Sequence, residues 1–227
     1  MGISVAVVGG GRMGSFLAGQ LPAGVGRVII DLNEDAARTL AEKVGGSYST
    51  SLSAAACADI VAAALPAPAV AAAFKELAKV AKPGSIVLNM STEAVIDDDF
   101  KMANPGAHFI NAKIVGHAKS MQSGLPGYLI LDTENTELIE KICSVMPGFS
   151  KIMPGDITLV PIANKIGSSE GIVAAISVRK KLREKGVPAE WADIVISTVC
   201  AGTIRSYVEG DIGEFARKLA DELEGKS

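Results

Sequence analysis

The chain has 227 residues, 48% of them apolar, a formal net charge of −3 at pH 7 and a mean hydropathy of +0.33. That length and apolar content suffice for one full core and a smaller second one, so the chain reads as globular. No cluster of Lys and Arg stands alone, which removes the electrostatic footprint of a nucleic-acid binder, and neither DNA nor RNA is expected as a partner.

The first apolar run, Ile3–Val8, reads as a strand, and Gly9-Gly10-Gly11-Arg12-Met13-Gly14 follows it at once. An Ala/Leu-rich helix is expected over Ser15–Leu21, and a second apolar run, Val28–Ile30, closes on Asp31. In the spacing Gly9-x-Gly11-x-x-Gly14 the first glycine makes a tight strand-to-helix turn and the second lets backbone approach a pyrophosphate. The third lets the helix pack closely on the sheet, so that its free amides and positive dipole end face the phosphates. Asp31, 17 residues beyond Gly14, is placed to accept hydrogen bonds from the adenosine ribose, and its charge would repel a 2′-phosphate. NAD is therefore the expected cofactor, with NADP left open, and Gly9, Gly11, Arg12, Met13, Gly14 and Asp31 are its expected contacts. The alternative makes Asp31 a plain turn residue and the glycines a flexible loop.

Asn33 caps the next predicted helix, whose apolar face is Ala37, Leu40, Ala41 and Val44 and which ends at Gly45-Gly46. Ile60–Leu65 reads as a buried strand stopped by Pro66, Val70–Val80 as a helix, and Ser85–Met90 as the next strand. Three short strand candidates follow at His108–Lys113, Tyr128–Leu131 and Ser150–Met153, with a helix near Thr136–Val145. This alternation predicts a parallel sheet with crossover helices. After Pro154-Gly155 no strand is convincing: 159–185 reads as one long helix despite Gly167 and Gly171, Pro188 opens another through Trp191, Ile194, Val195 and Thr198, and Ile212–Leu223 is amphipathic. The fold class expected is α/β, an N-terminal Rossmann-like doubly wound sheet over 1–157 followed by a small all-helical domain over 158–227. The helices of the second region carry more apolar surface than one narrow face can bury, so a homodimer through them is expected.

Ligands of an open α/β sheet collect beyond the carboxyl ends of its strands, which makes Leu65, Pro66, Ser91 and Thr92 further candidate cofactor contacts. Ser91 and Thr92 serve equally well as caps of the following segment. Cys57, Cys143 and Cys200 are far apart and unpaired in spacing, so neither a disulfide framework nor a metal site is supported, and they are expected to be buried packing residues. The chain enters its first strand without a basic and apolar leader, and the greasy stretch Ile60–Phe74 holds two prolines and is too short to span a bilayer. A cytoplasmic protein with no membrane partner is the expectation.

The segments GGGRMG, VIIDLNEDAARTLAEKVGG, ALPAPAVAAAF, KPGSIVLNMST and NAKIVGHAKSMQSG together resemble the β-hydroxyacid dehydrogenases, such as 3-hydroxyisobutyrate dehydrogenase. The resemblance implies hydride transfer between NAD(P) and a small hydroxy acid or its keto partner. Three departures stand in the substrate motif: Val115 replaces the family's serine, Lys113 its proline and His117 its last glycine. Asn164 matches the family's asparagine, but Pro161 falls where its catalytic lysine belongs. Lys165 and His117 are then the candidate acid/base groups, with Asn164 next to Lys165; the alternative leaves Lys165 solvent-facing or ion-paired and His117 a surface or packing residue. A second resemblance joins KGVPAEWADIVISTVCAGTIRSYVEG to the C-terminal helices of pyrroline-5-carboxylate reductase, a family that reduces a cyclic imine without a lysine acid. An imine reductase and a non-catalytic NAD(H)-binding protein are thus the competing readings.

Overall fold

A computed structural model describes residues 2–225 and divides the chain into two compact units, Met1–Asn164 and Lys165–Ser227. In the first unit, strands β1 (Ser4–Val8), β2 (Gly26–Ile30), β3 (Ser47–Ser49), β4 (Ile60–Ala63), β5 (Ile86–Asn89), β6 (His108–Val115), β7 (Tyr128–Leu131) and β8 (Lys151–Pro154) form one sheet in the order β3-β2-β1-β4-β5-β6-β7-β8. From β3 to β6 all neighbours are parallel; β7 runs antiparallel to β6 and carries β8 parallel to itself. The sequence predicted a parallel sheet throughout. The turn-rich segment between β6 and β7 holds only the short helix α5 (Ala118–Gln122), and this link returns the chain beside β6 in the opposite sense.

The central strands are unbroken apolar runs because helices cover both faces. Successive side chains alternate between the faces. Val5 and Val7 of β1 pack with Phe16 and Leu17 of α1 (Arg12–Gln20), Leu40 of α2 (Glu34–Val44) and Ile142 of α6 (Thr136–Val145). Ala6 and Val8 pack on the other side with Phe74 and Leu77 of α3 (Ala67–Val80). There Phe74 stands edge-on to Phe100 of α4 (Asp98–Ala103), and Asn33 caps α2 with its side-chain oxygen on the Ala36 N–H at 3.1 Å. The two edges of the sheet are short: β3 has three residues and no buried one, and β8 begins on an exposed lysine and ends on Pro154. Elements α4, α5, β3 and the 3-10 turn Leu52–Cys57 are too short for periodicity to reveal.

Helix α7 (Leu159–Glu184) starts in the first unit and continues in the second, where α8 (Trp191–Ile194), a π-turn over 195–200 and α9 (Ala201–Glu209) make one continuous run, followed by α10 (Glu214–Leu223). Pro188 lies ahead of this run instead of opening it, and its carbonyl accepts the Trp191 N–H at 3.0 Å. The cysteines are not core residues. Cys57 and Cys143 are exposed and Cys200 half-buried: α6 turns Ile142 and Val145 inward, so Cys143 faces out, and Cys200 lies in a unit whose one buried residue among those described is Ala192.

At the amino end of the sheet Asp59 binds three groups at once. Its carboxylate accepts the Ser4 N–H and hydroxyl, both at 2.8 Å, and lies 2.8 Å from Lys82. These contacts, Lys82 foremost, lower its pKa from 3.8 to about 2. Because the folded value is the lower one, the stabilisation is present above about pH 4 and disappears as the pH falls towards 2. Partial exposure of the pair limits it to about 1 kcal/mol. Asp59→Asn is therefore expected to lower the thermal midpoint at pH 7 by about 2–4 °C and to differ little from wild type near pH 2, measured by circular dichroism melts across that range.

Candidate functional site

The chain leaves β1 for β2 on one side and returns through β4 on the other, so the carboxyl ends of β1 and β4 open a crevice at the reversal of strand order. Gly9 turns the chain there. Its φ is +101°, its N–H donates to the Ile30 carbonyl at 2.7 Å, and a β-carbon would meet the Ala64 carbonyl oxygen at 2.5 Å. Gly14 sits on the turn so closely that a β-carbon would lie 1.7 Å from the Gly9 oxygen, whereas at Gly11 it would face open space. The turn therefore brings α1 down onto the sheet and leaves room in front of its first residues. Among the described residues no side chain caps the start of α1, and no acidic residue occupies its first turn, so its amides and dipole are open to an anion.

Asp31 closes the other side. One carboxylate oxygen accepts the Gly10 N–H at 2.6 Å, and the other accepts the Asn33 N–H at 2.8 Å. Each oxygen keeps acceptor capacity for a further donor. Gly9, Gly11, Asp31, Leu65 and Pro66 line one cavity of about 570 Å³, walled by the small side chains of Ala69 and Ala73 and rimmed by Leu32, 94% exposed. The volume suits a nucleoside-sized ligand. Among the described residues no group of three His, Cys, Asp or Glu could hold a metal ion, and no helix is long and apolar enough to cross a membrane.

The other sequence candidates lie apart from that cavity. Arg12, exposed, and Met13, half-buried, open α1. Ser91 is buried and Thr92 exposed just beyond β5. His117 is exposed at the start of α5, its Nδ1 3.2 Å from the Ser120 hydroxyl, and Gln122 of the same helix donates to the Arg12 carbonyl at 3.3 Å. Asn164 donates from Nδ2 to the Ile114 carbonyl at 2.8 Å and so ties α7 to β6. Lys165 is exposed and opens the second unit.

Sequence reasoning passed over a buried polar network at the ends of β5 and β6. Asn89 donates to Asn111 at 2.9 Å and to the Ala94 carbonyl at 2.7 Å; Asn111 in turn accepts the Ile96 N–H at 2.9 Å and donates to Asp132 at 2.8 Å. Lys113, 1% exposed, donates from Nζ to the carbonyls of Ser91 and Ala94. Burial pulls its pKa from 10.5 to about 8, with the Asp132 carboxylate opposing the shift. The available signal was the presence of polar residues inside otherwise apolar strand runs.

Comparison with curated protein sequences yields no match. By structure the chain is similar to a pyrroline-5-carboxylate reductase from Coxiella burnetii (TM-score 0.75, 14% identity, 96% of this chain and 84% of that one). It is also similar to an imine reductase from Pseudomonas sp. (0.66, 20%, 94% and 81%) and to a 3-hydroxyisobutyrate dehydrogenase from Mycobacterium tuberculosis (0.61, 20%, 87% and 71%). At such identities the likeness establishes the fold. Residues 4–139, more than half of the chain, match the family described as the NAD binding domain of 6-phosphogluconate dehydrogenase. The glycine turn, the acidic residue after β2 and this match agree, and the chain belongs to that NAD-binding family.

Proposed function

We propose that this NAD(P)-dependent oxidoreductase moves a hydride between the nicotinamide ring and a small hydroxy acid or related carbonyl compound, prefers NAD to NADP, and works as a homodimer. The observation that carries the reading is the crevice itself, where the uncapped amides of α1 and the Asp31 carboxylate stand on either side of one cavity. When bound, the coenzyme supplies the hydride or takes it up. The chain's own residues then have three tasks. The glycine turn holds the diphosphate through N–H groups, Asp31 accepts the ribose hydroxyls with its remaining lone pairs, and the segment after β5, with Ser91 and Thr92, faces the nicotinamide half. For the proton of the alcohol or carbonyl the chain offers two groups of suitable chemistry, Lys165 and His117, with Asn164 as a hydrogen-bonding neighbour of Lys165 in sequence.

One observation favours the imine-reducing alternative. Val115 and Pro161 stand where the dehydrogenase resemblance calls for a serine and a lysine, and reduction of a C=N bond does not need that lysine. Support for the dimer comes from the second unit. Ile172, Ile176, Phe215 and Leu223 are each more than 60% exposed there, a density of apolar surface that water tolerates poorly. A cytoplasmic location is part of the same proposal.

Titration calorimetry with NADH and NADPH tests the coenzyme assignment. Asp31→Ala is expected to weaken NADH about tenfold more than NADPH, any loss common to both reporting the freed Gly10 N–H of the turn; equal loss for both would remove Asp31 from the ribose. Turnover of small hydroxy acids with NAD that Lys165→Met abolishes and His117→Ala spares supports the dehydrogenase reading, and turnover of cyclic imines that survives Lys165→Met supports the alternative. Tight NADH binding with no turnover of either class would leave a coenzyme-binding protein without catalysis. Sedimentation velocity should return twice the 23.3 kDa chain mass, shifting towards one chain mass in Phe215→Asp; a monomer in the wild type rules the dimer out.

A further inference from the structure

We propose that Lys113 is a positioning residue, an ammonium buried beneath the segment 91–96 that fixes this segment as a wall of the nicotinamide half of the site. The inference rests on the coenzyme reading above for the place of that wall, though not for the contacts that hold it. Between β5 and α4 the chain has no regular hydrogen bonding, and Thr92, Glu93 and Val95 are exposed. Left alone, six such residues would sample many conformations. Here they are pinned from below by six hydrogen bonds to three residues, Ser91, Ala94 and Ile96. Nζ of Lys113 holds the carbonyls of Ser91 and Ala94, Asn89 holds the Ala94 carbonyl and the Ser91 N–H, and Asn111 holds both the N–H and the carbonyl of Ile96.

Asn89 and Asn111 are neutral amides whose hydrogen bonds are satisfied, and they suit a sheet interior. Lys113 differs. An ammonium taken out of water is expensive, and burial draws its pKa down to about 8 although the Asp132 carboxylate opposes the shift. By linkage the unfolded chain holds that proton more tightly than the folded one, so stability rises as the pH climbs from about 8 towards 10.5. A methionine of similar length would spare that cost but would hold neither carbonyl. What the lysine alone provides at that depth is a donor with several N–H groups, able to hold two carbonyls three residues apart at one point. Its role is order in the segment above it.

Lys113→Met separates that role from global stability. Amide hydrogen exchange should show about a tenfold or greater loss of protection at Ser91 and Ile96, with Gly9 and β1 unchanged and the thermal midpoint equal to or above that of the wild type. NADH affinity should stay within about threefold, while kcat on any substrate that the wild type turns over falls about tenfold or more with little change in KM. Lys113→Gln, which keeps two N–H donors on a shorter stem, should recover part of the protection at Ser91. Unchanged protection at both amides overturns the proposal, and so does a general loss of protection with a lowered midpoint, since that is what a purely structural residue would give. Failure of the wild type to bind NADH would sink the coenzyme reading while the exchange result would still decide whether Lys113 orders the segment.

Discussion

The close contact between Gly14 and the carbonyl of Gly9 is the constraint on which the first unit depends. It sets how near α1 can lie to β1, and Phe16 and Leu17 reach the core beside Val5 and Val7 from that height. A single added carbon at position 14 would have to displace either the helix or the turn, because the obstructing atom is backbone. The same contact aims the start of α1 across the crevice, so the packing of the helix and the proposed anion site share one geometric requirement. Asp31 reinforces it by holding the Gly10 N–H, which couples the end of β2 to the turn after β1. The carboxylate proposed to read a ribose therefore also shapes the loop proposed to hold the diphosphate.

Much of this was legible in the sequence because glycine spacing and buried strands are strict. The run from Ile3 to Asp31 has one reading that satisfies the turn, the helix and the sheet together, and the apolar runs at 60–63 and 86–89 are strands for which no other use exists in a chain of this kind. The antiparallel β7 escaped because Tyr128–Leu131 looks the same in either direction; strand sense is decided by the linker, not by the strand. The cysteines were misplaced for a related reason. Residue type favours the interior, but the phase of α6 puts Ile142 there and Cys143 outside.

The polar network at the ends of β5 and β6 lay beyond sequence reasoning for a different cause. Asn89, Asn111 and Lys113 meet only because β5 and β6 pair in the register that sets Asn89 against Asn111. A shift of β6 by one residue would send Asn111 and Lys113 to the opposite face, away from Asn89, and leave an ammonium and an amide among hydrocarbon. The network thus specifies the register at the edge where the parallel part of the sheet ends. The second unit is written in the opposite manner, with helical periodicity plain in the sequence and one buried side chain among its described residues to show for it.

The two outer strands bear on how the protein behaves when crowded. A three-residue Ser-Tyr-Ser strand gives a newcomer almost no ladder to extend, and at the far side a terminal proline, which has no N–H, cuts off the other template. Each margin of the sheet offers little ladder to extend, so the concentrated protein should resist strand-mediated gelling.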